Sequence, residues 1–228
     1  MLSGFLPTLL DGTLTTLALA GASLLIAVLL GLVGAAAKLS RLRALRWLAT
    51  GYTTVVRGVP DLVLMLFVFF GGQIIVSAAA ARLGHSHYID IDPFIAGVCT
   101  IGFIFGAYLT ETFRGALMSI PAGQREAGIA YGMSRFKVFW RITFPQMIRF
   151  AIPGFTNNWL VLVKSTAIVS VIGLTDMMHR AGLAAGATRE PFTFYLAAAA
   201  IYLAITTVSL LLLRALEKRV SISVRRAA

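Results

Sequence analysis

Five runs with few or no charges, each about as long as a bilayer is thick, govern what this chain can fold into. A helix needs ~20 consecutive apolar residues to cross the hydrocarbon core. The runs cover about residues 14–37, 62–81, 93–117, 152–174 and 191–213. The first and fifth carry no charge, and the second has only Gln73 and Ser77 as clearly polar side chains. The third holds Glu111 and Arg114 near its far end, and Lys164 interrupts the fourth. Unpaired backbone groups are too expensive in lipid for irregular spans, so runs of this kind fold as helices. The expectation is an all-α fold: a polytopic membrane helical bundle of five transmembrane helices, forming one domain over residues 1–228.

Composition agrees with the runs. The chain is 58% apolar and 13% charged, and its formal charge of +11 would suggest a nucleic-acid partner in a soluble protein. Here the basic residues lie between apolar runs, which points to membrane topology and to no nucleic acid. Lys38, Arg41, Arg43 and Arg46 fall in one connection, and Arg114, Arg125, Arg135, Lys137, Arg141 and Arg149 in another. The tail adds Arg214, Lys218, Arg219, Arg225 and Arg226, whereas the alternate connections hold only Arg82, Arg180 and Arg189. Lys and Arg accumulate on the cytoplasmic side. The amino terminus is therefore expected outside (periplasmic) and the carboxyl terminus in the cytoplasm. No basic residue precedes Lys38, so no cleavable signal peptide is expected. Cys99 sits alone in an apolar run and reads as a buried thiol.

Before the second run, Leu42, Leu45, Leu48, Ala49 and Tyr52 recur at helical spacing among Arg41, Arg43 and Arg46. This is either an interfacial helix or the start of a long second helix. Gly58 and Pro60 break it, since proline lacks the helical donor and clashes with the preceding turn. Asp61 follows at once. Interrupted helices are where transporters place binding sites, and a carboxylate there can hold an ammonium or guanidinium. Asp61 can equally cap a helix or pair with Arg57 at i, i+4. Glu111 has three arrangements open to it: facing a translocation path, pairing with Lys164, or pairing with Arg114 one turn away. Tyr52, Tyr108 and Lys164 complete the candidate path residues. His85 and His87 beside Asp90 and Asp92 read as a solvated loop rather than a metal site, and no catalytic residue is expected.

The remaining signal lies between the third and fourth runs. Glu126-Ala127-Gly128 is followed after three residues by Gly132, and after nine more by Ile142-Thr143-Phe144-Pro145. This resembles the EAA loop of ABC importer permeases, with Gly128 replacing the second alanine and Phe144 replacing leucine. Read through, the chain is similar to the HisQ-type permease subunits of histidine/lysine/arginine/ornithine importers, within the polar amino acid permeases. Gly51-Tyr52-Thr53-Thr54, Arg57 to Met65 and Ile89 to Pro93 carry this likeness, with Thr110 to Gly115, Asn157-Asn158-Trp159, Lys164 to Ala167 and Glu190-Pro191-Phe192.

The resemblance implies an ABC type I importer permease fold in a bacterial inner membrane. It implies a coupling loop over about 119–146, with Glu126, Ala127, Gly128, Gly132, Ile142 and Pro145 docking an ATPase. The implied partners are a homologous permease subunit of the HisM type, two copies of an ABC ATPase subunit and a periplasmic basic amino acid binding protein, in membrane lipid. The sequence has no GxxxxGK[ST] phosphate loop, so ATP and Mg are expected in the partner ATPase and no cofactor on this chain. Within the loop, Pro121 is expected to open a short helix and Ser134 to cap a second. Ala127, Gly128 and Ala130 are expected to leave room for the partner, and Phe136, Phe139, Trp140 and Phe144 to anchor the second helix on the membrane domain. The other readings are a permease for another polar amino acid, an ion-coupled secondary transporter using Asp61 and Glu111, and a membrane scaffold.

Overall fold

The computed structural model describes residues 2–82 and 90–221. The loop with His85, His87 and Ile89 lies outside them, as do Arg225 and Arg226. The described residues form helices α1 (Leu2–Lys38), α2 (Arg43–Gly58), α3 (Asp61–Arg82) and α4 (Pro93–Met118). Short helices α5 (Ala122–Ala130) and α6 (Arg135–Val138) follow, then a π-helical turn over Phe139–Thr143. The chain continues through α7 (Phe144–Ser165), a tight 3-10 stretch over Thr166–Ile172, α8 (Met177–Thr188) and α9 (Pro191–Ser221). Five of these segments are long and apolar enough to cross a membrane.

The bundle is built around α4. Its start is well specified: Asp92 accepts the Ile95 amide at 2.9 Å, with Pro93 in the first turn. Buried residues then line α4 from Ala96 to Ala116. In lipid, helices associate through close packing rather than a hydrophobic driving force, and small residues let backbones approach. The α1–α4 seam follows this rule. A Cβ on Gly102 would lie 2.7 Å from the Ile26 Cβ, and one on Gly34 would collide with the Thr110 side chain. No larger residue fits either place without moving a helix.

Two elements differ from the spans expected. Helix α1 starts about a dozen residues early because Phe5 and Leu9 pack with Met177, Ala181 and Phe194 in a second core beside α8 and α9. The fourth apolar run is split between α7 and the 3-10 stretch. Thr166 and Ser170 donate their hydroxyls to the carbonyls three residues back, at 2.7 Å each, within this tightened winding. Cys99 is exposed on α4 rather than buried.

Candidate functional site

The 119–146 connection folds on itself. Pro121 is the N-cap of α5, and Gly132 turns the chain with φ +77°. That left-handed region suits glycine. The Tyr131 and Met133 amides close the end of α5 onto the Ala127 and Gly128 carbonyls, each at 3.0 Å. Ser134 caps α6, accepting the Lys137 amide. The π-helical turn then runs straight into α7, the Phe144 amide bonding the Phe139 carbonyl. Such turns are frequent at functional sites.

Two expectations for this loop need correction. Gly128 is buried, and a Cβ there would lie 2.7 Å from Ile142 Cδ1 and 3.1 Å from Val138 Cγ2. Its smallness serves packing between the two arms of the loop, because α5 must lie flat on the turn that follows it. Of the four aromatics expected to anchor the second helix, Phe144 packs against the main core and Phe139 and Trp140 stack on it while staying exposed, whereas exposed Phe136 stacks on Trp140. Val138 and Thr143 make the buried contacts instead. Of the expected set, Glu126, Ala127, Gly132 and Pro145 are exposed, and Ile142 is half-buried. Sequence reasoning passed over Ile129 and Tyr131, the latter 90% exposed. Their position beside Gly132 on an uncovered face was the available signal. Under the loop lies a cavity of about 480 Å³, lined by Leu117, Glu126, Ile129, Arg135 and Phe139 among others.

The five candidate path residues fall in three places. Tyr52, on α2, donates its hydroxyl to the Phe103 carbonyl at 2.5 Å and fastens α2 to α4. Burial pushes this phenol up to about 12, so it remains a donor throughout the physiological range. Arg57 stands over the Tyr108 ring, 5.3 Å from its centroid. It makes no ion pair with Asp61 among the described residues. The physical reason is the break: Gly58 ends α2, Val59 is extended, and Asp61 begins α3. The i, i+4 relation therefore spans two helices. Asp61 itself is half-buried at the start of α3.

Glu111 is held one turn beyond Tyr108, between Lys38 of α1 and Arg114 of its own helix. The Arg114 pair was one of the three arrangements read from the sequence. Lys38 was assigned only to topology, because nothing local shows that the end of α1 meets α4. Lys164 is not Glu111's partner. It is exposed on α7 and faces an open cavity of about 520 Å³ with Tyr195, Tyr202 and Thr206. Among the described residues no cluster of three or more His, Cys, Asp or Glu is placed to hold a metal ion.

A five-span bundle with a self-packed loop between its third and fourth spans defines a polytopic membrane protein, and comparison with known proteins supplies the family. The profile described as "Binding-protein-dependent transport system inner membrane component" matches residues 24–222, and the chain belongs to that family. It is 51% identical to the histidine/lysine/arginine/ornithine transport system permease protein HisQ of Escherichia coli (strain K12), over 100% of this chain and 99% of that protein. It is 40% identical to the arginine ABC transporter permease protein ArtQ of Haemophilus influenzae, over 96% of each. Among solved structures, the crystal structure of an amino acid ABC transporter with histidines matches with a TM-score of 0.81 and 31% identity, over 96% of each chain. The chain is thus a permease subunit of an amino acid ABC importer, seated in the inner membrane.

Proposed function

We propose that this subunit carries basic amino acids (histidine, lysine, arginine, ornithine) inward, driven by an ATPase that docks on the 119–146 loop. The loop supports this reading best. It is held rigid by its own packing, yet presents Ile129, Tyr131 and Phe136 on an uncovered surface. A hydrophobic patch of this kind on a polar rim marks a protein partner. The partners would be a homologous permease subunit, two copies of the ATPase holding ATP and Mg, and a periplasmic binding protein. ATP hydrolysis would reside in the ATPase, and this chain would bind no cofactor. The names of the relatives and the position of Asp61 beside a helix break favour cationic substrates.

Two experiments test this. The Cβ of residue 132 points into open space on this chain, so Gly132→Arg would project into the docked ATPase besides straining a left-handed residue by ~1–2 kcal/mol. ATP-driven uptake into reconstituted vesicles should collapse while the membrane subunits still insert. Normal uptake with normal ATPase association would overturn the coupling role. For orientation, a cysteine at Ser221 should react only from the cytoplasm and one at Ser86 only from outside. Labelling of both from one side would refute it.

A further inference from the structure

The coupling loop ends directly in two helices, and those helices are pinned to each other at one level. Three residues, Ser119 to Pro121, join α4 to α5, with Ile120 buried. At the other end nothing separates the π-helical turn from α7. Two turns before the end of α4, Glu111 is bound by Lys38 of α1 and by Arg114, whose Nη2 lies 2.8 Å from Oε2. The next residue points another way round the helix. There the Thr112 hydroxyl accepts from Asn158 Nδ2 of α7 at 2.9 Å. Gly154, one turn before Asn158, lets α7 lie against Thr112: a Cβ there would stand 2.7 Å from Thr112 Cγ2.

We propose that Lys38, Glu111, Thr112 and Asn158 are positioning residues that lock α1, α4 and α7 to the coupling loop as one body. Motion imposed on the loop then reaches the translocation path instead of being lost in bending. This rests on the ATPase docking proposed above. Glu111 acts through its neighbours in this account and does not touch substrate. Its side chain is only 20% exposed, and each carboxylate oxygen already has a cation. Removing one partner leaves a charge uncompensated in a low-dielectric setting.

The test uses the complete transporter in vesicles, reading substrate imported per ATP hydrolysed together with the arginine concentration giving half-maximal uptake. Lys38→Met and Glu111→Gln should lower import per ATP roughly five- to tenfold, with half-saturation unchanged, and Lys38→Arg should retain the native ratio. A raised half-saturating concentration with an unchanged ratio would overturn the proposal and make Glu111 a substrate ligand. In case a variant fails to assemble, Lys38→Cys with Glu111→Cys, in a Cys99→Ser background, can be bridged by a bifunctional thiol reagent. Import per ATP should be low before bridging, and its recovery on bridging supports a body that moves as one, whereas transport abolished by bridging shows that α1 and α4 part during the cycle. Copurification of the ATPase, measured for each variant, separates failure of the lock from failure of the docking itself.

Discussion

Helices α3 and α4 are both membrane spans, yet they are opposites in where they sit. Helix α3 is the more apolar, with mean hydropathy 2.3 over its window against 1.7 for α4, but only 11% of that window is buried against 61%. Three residues of α3 are buried, Met65, Gln73 and Ala80. One of them is polar: Gln73 accepts the Ile91 amide at 2.9 Å and so holds the chain entering α4. Phe67, Phe70, Ile74 and Ile75 point outward. In water the most apolar helix seeks the centre. In lipid it has no reason to, and the centre goes to the helix with glycines, threonines and a paired charge.

The sharpest way to break this contrast is to exchange small for large on α1 where it packs against α4, and on α3. Gly34→Leu drives a side chain into Thr110, whereas Gly71 on α3 has no atom within 4 Å of an added Cβ. Overpacking a tight seam is worth ~1–3 kcal/mol or more. Gly34→Leu should therefore yield little folded protein by size exclusion in detergent, and Gly71→Leu should leave this subunit's fold intact. Equal yields would mean that the α1–α4 seam is not tight.

Much of the fold was legible because the length of apolar run that a bilayer demands is a property of sequence alone. The five runs map onto α1, α3, α4, α7 and α9, and Pro121 and Ser134 start the loop helices as expected, whereas the Asp92 cap of α4 was read only as loop. What stayed hidden depends on which helices become neighbours. Lys38 meets Glu111 across 73 positions, and Gly128 meets Ile142 across a turn. No local pattern encodes either contact. The Arg57–Asp61 pair failed for a local reason that was visible: a helical spacing was applied through the Gly58–Pro60 break that the same sequence announced.

Asp61 sharpens the contrast from the α3 side. If α3 borders the path, its first residue is where a cationic substrate meets a carboxylate. Asp61→Asn should then weaken arginine or lysine uptake more than histidine uptake at pH 7. Histidine is largely neutral there, with an unperturbed pKa near ~6.5. A lost charged hydrogen bond is worth ~1.5–3 kcal/mol, roughly ten- to a hundredfold in affinity. Competition among the three substrates in the assembled transporter measures this. An equal loss for all three would make Asp61 structural, and no loss would remove it from the path.

The smallest effect belongs to Asp176, outside the spans, where the second core meets α8. It is fully buried, and its Oδ1 caps α8 by accepting the His179 amide at 2.9 Å. Its Oδ2 meets no partner among the described residues. Burial pushes this carboxyl above its usual range, and backbone amides at the helix start, His179 first among them, offset only part of that. A folded-state value above the unfolded one means that the folded chain holds the proton more tightly. The resulting stabilisation is present at low pH and fades as pH rises from the ordinary carboxylate range through the raised value. Asp176→Asn keeps the cap oxygen without the charge, so its melting temperature should match or exceed the native one at neutral pH. That advantage should shrink as the solution is acidified. Asp176→Ala loses the cap, ~1 kcal/mol, and should be less stable throughout. Thermal melts in detergent across this pH range separate the two substitutions. If Asn proves as destabilising as Ala at neutral pH, the carboxylate charge is an asset to the fold and the assigned direction is wrong.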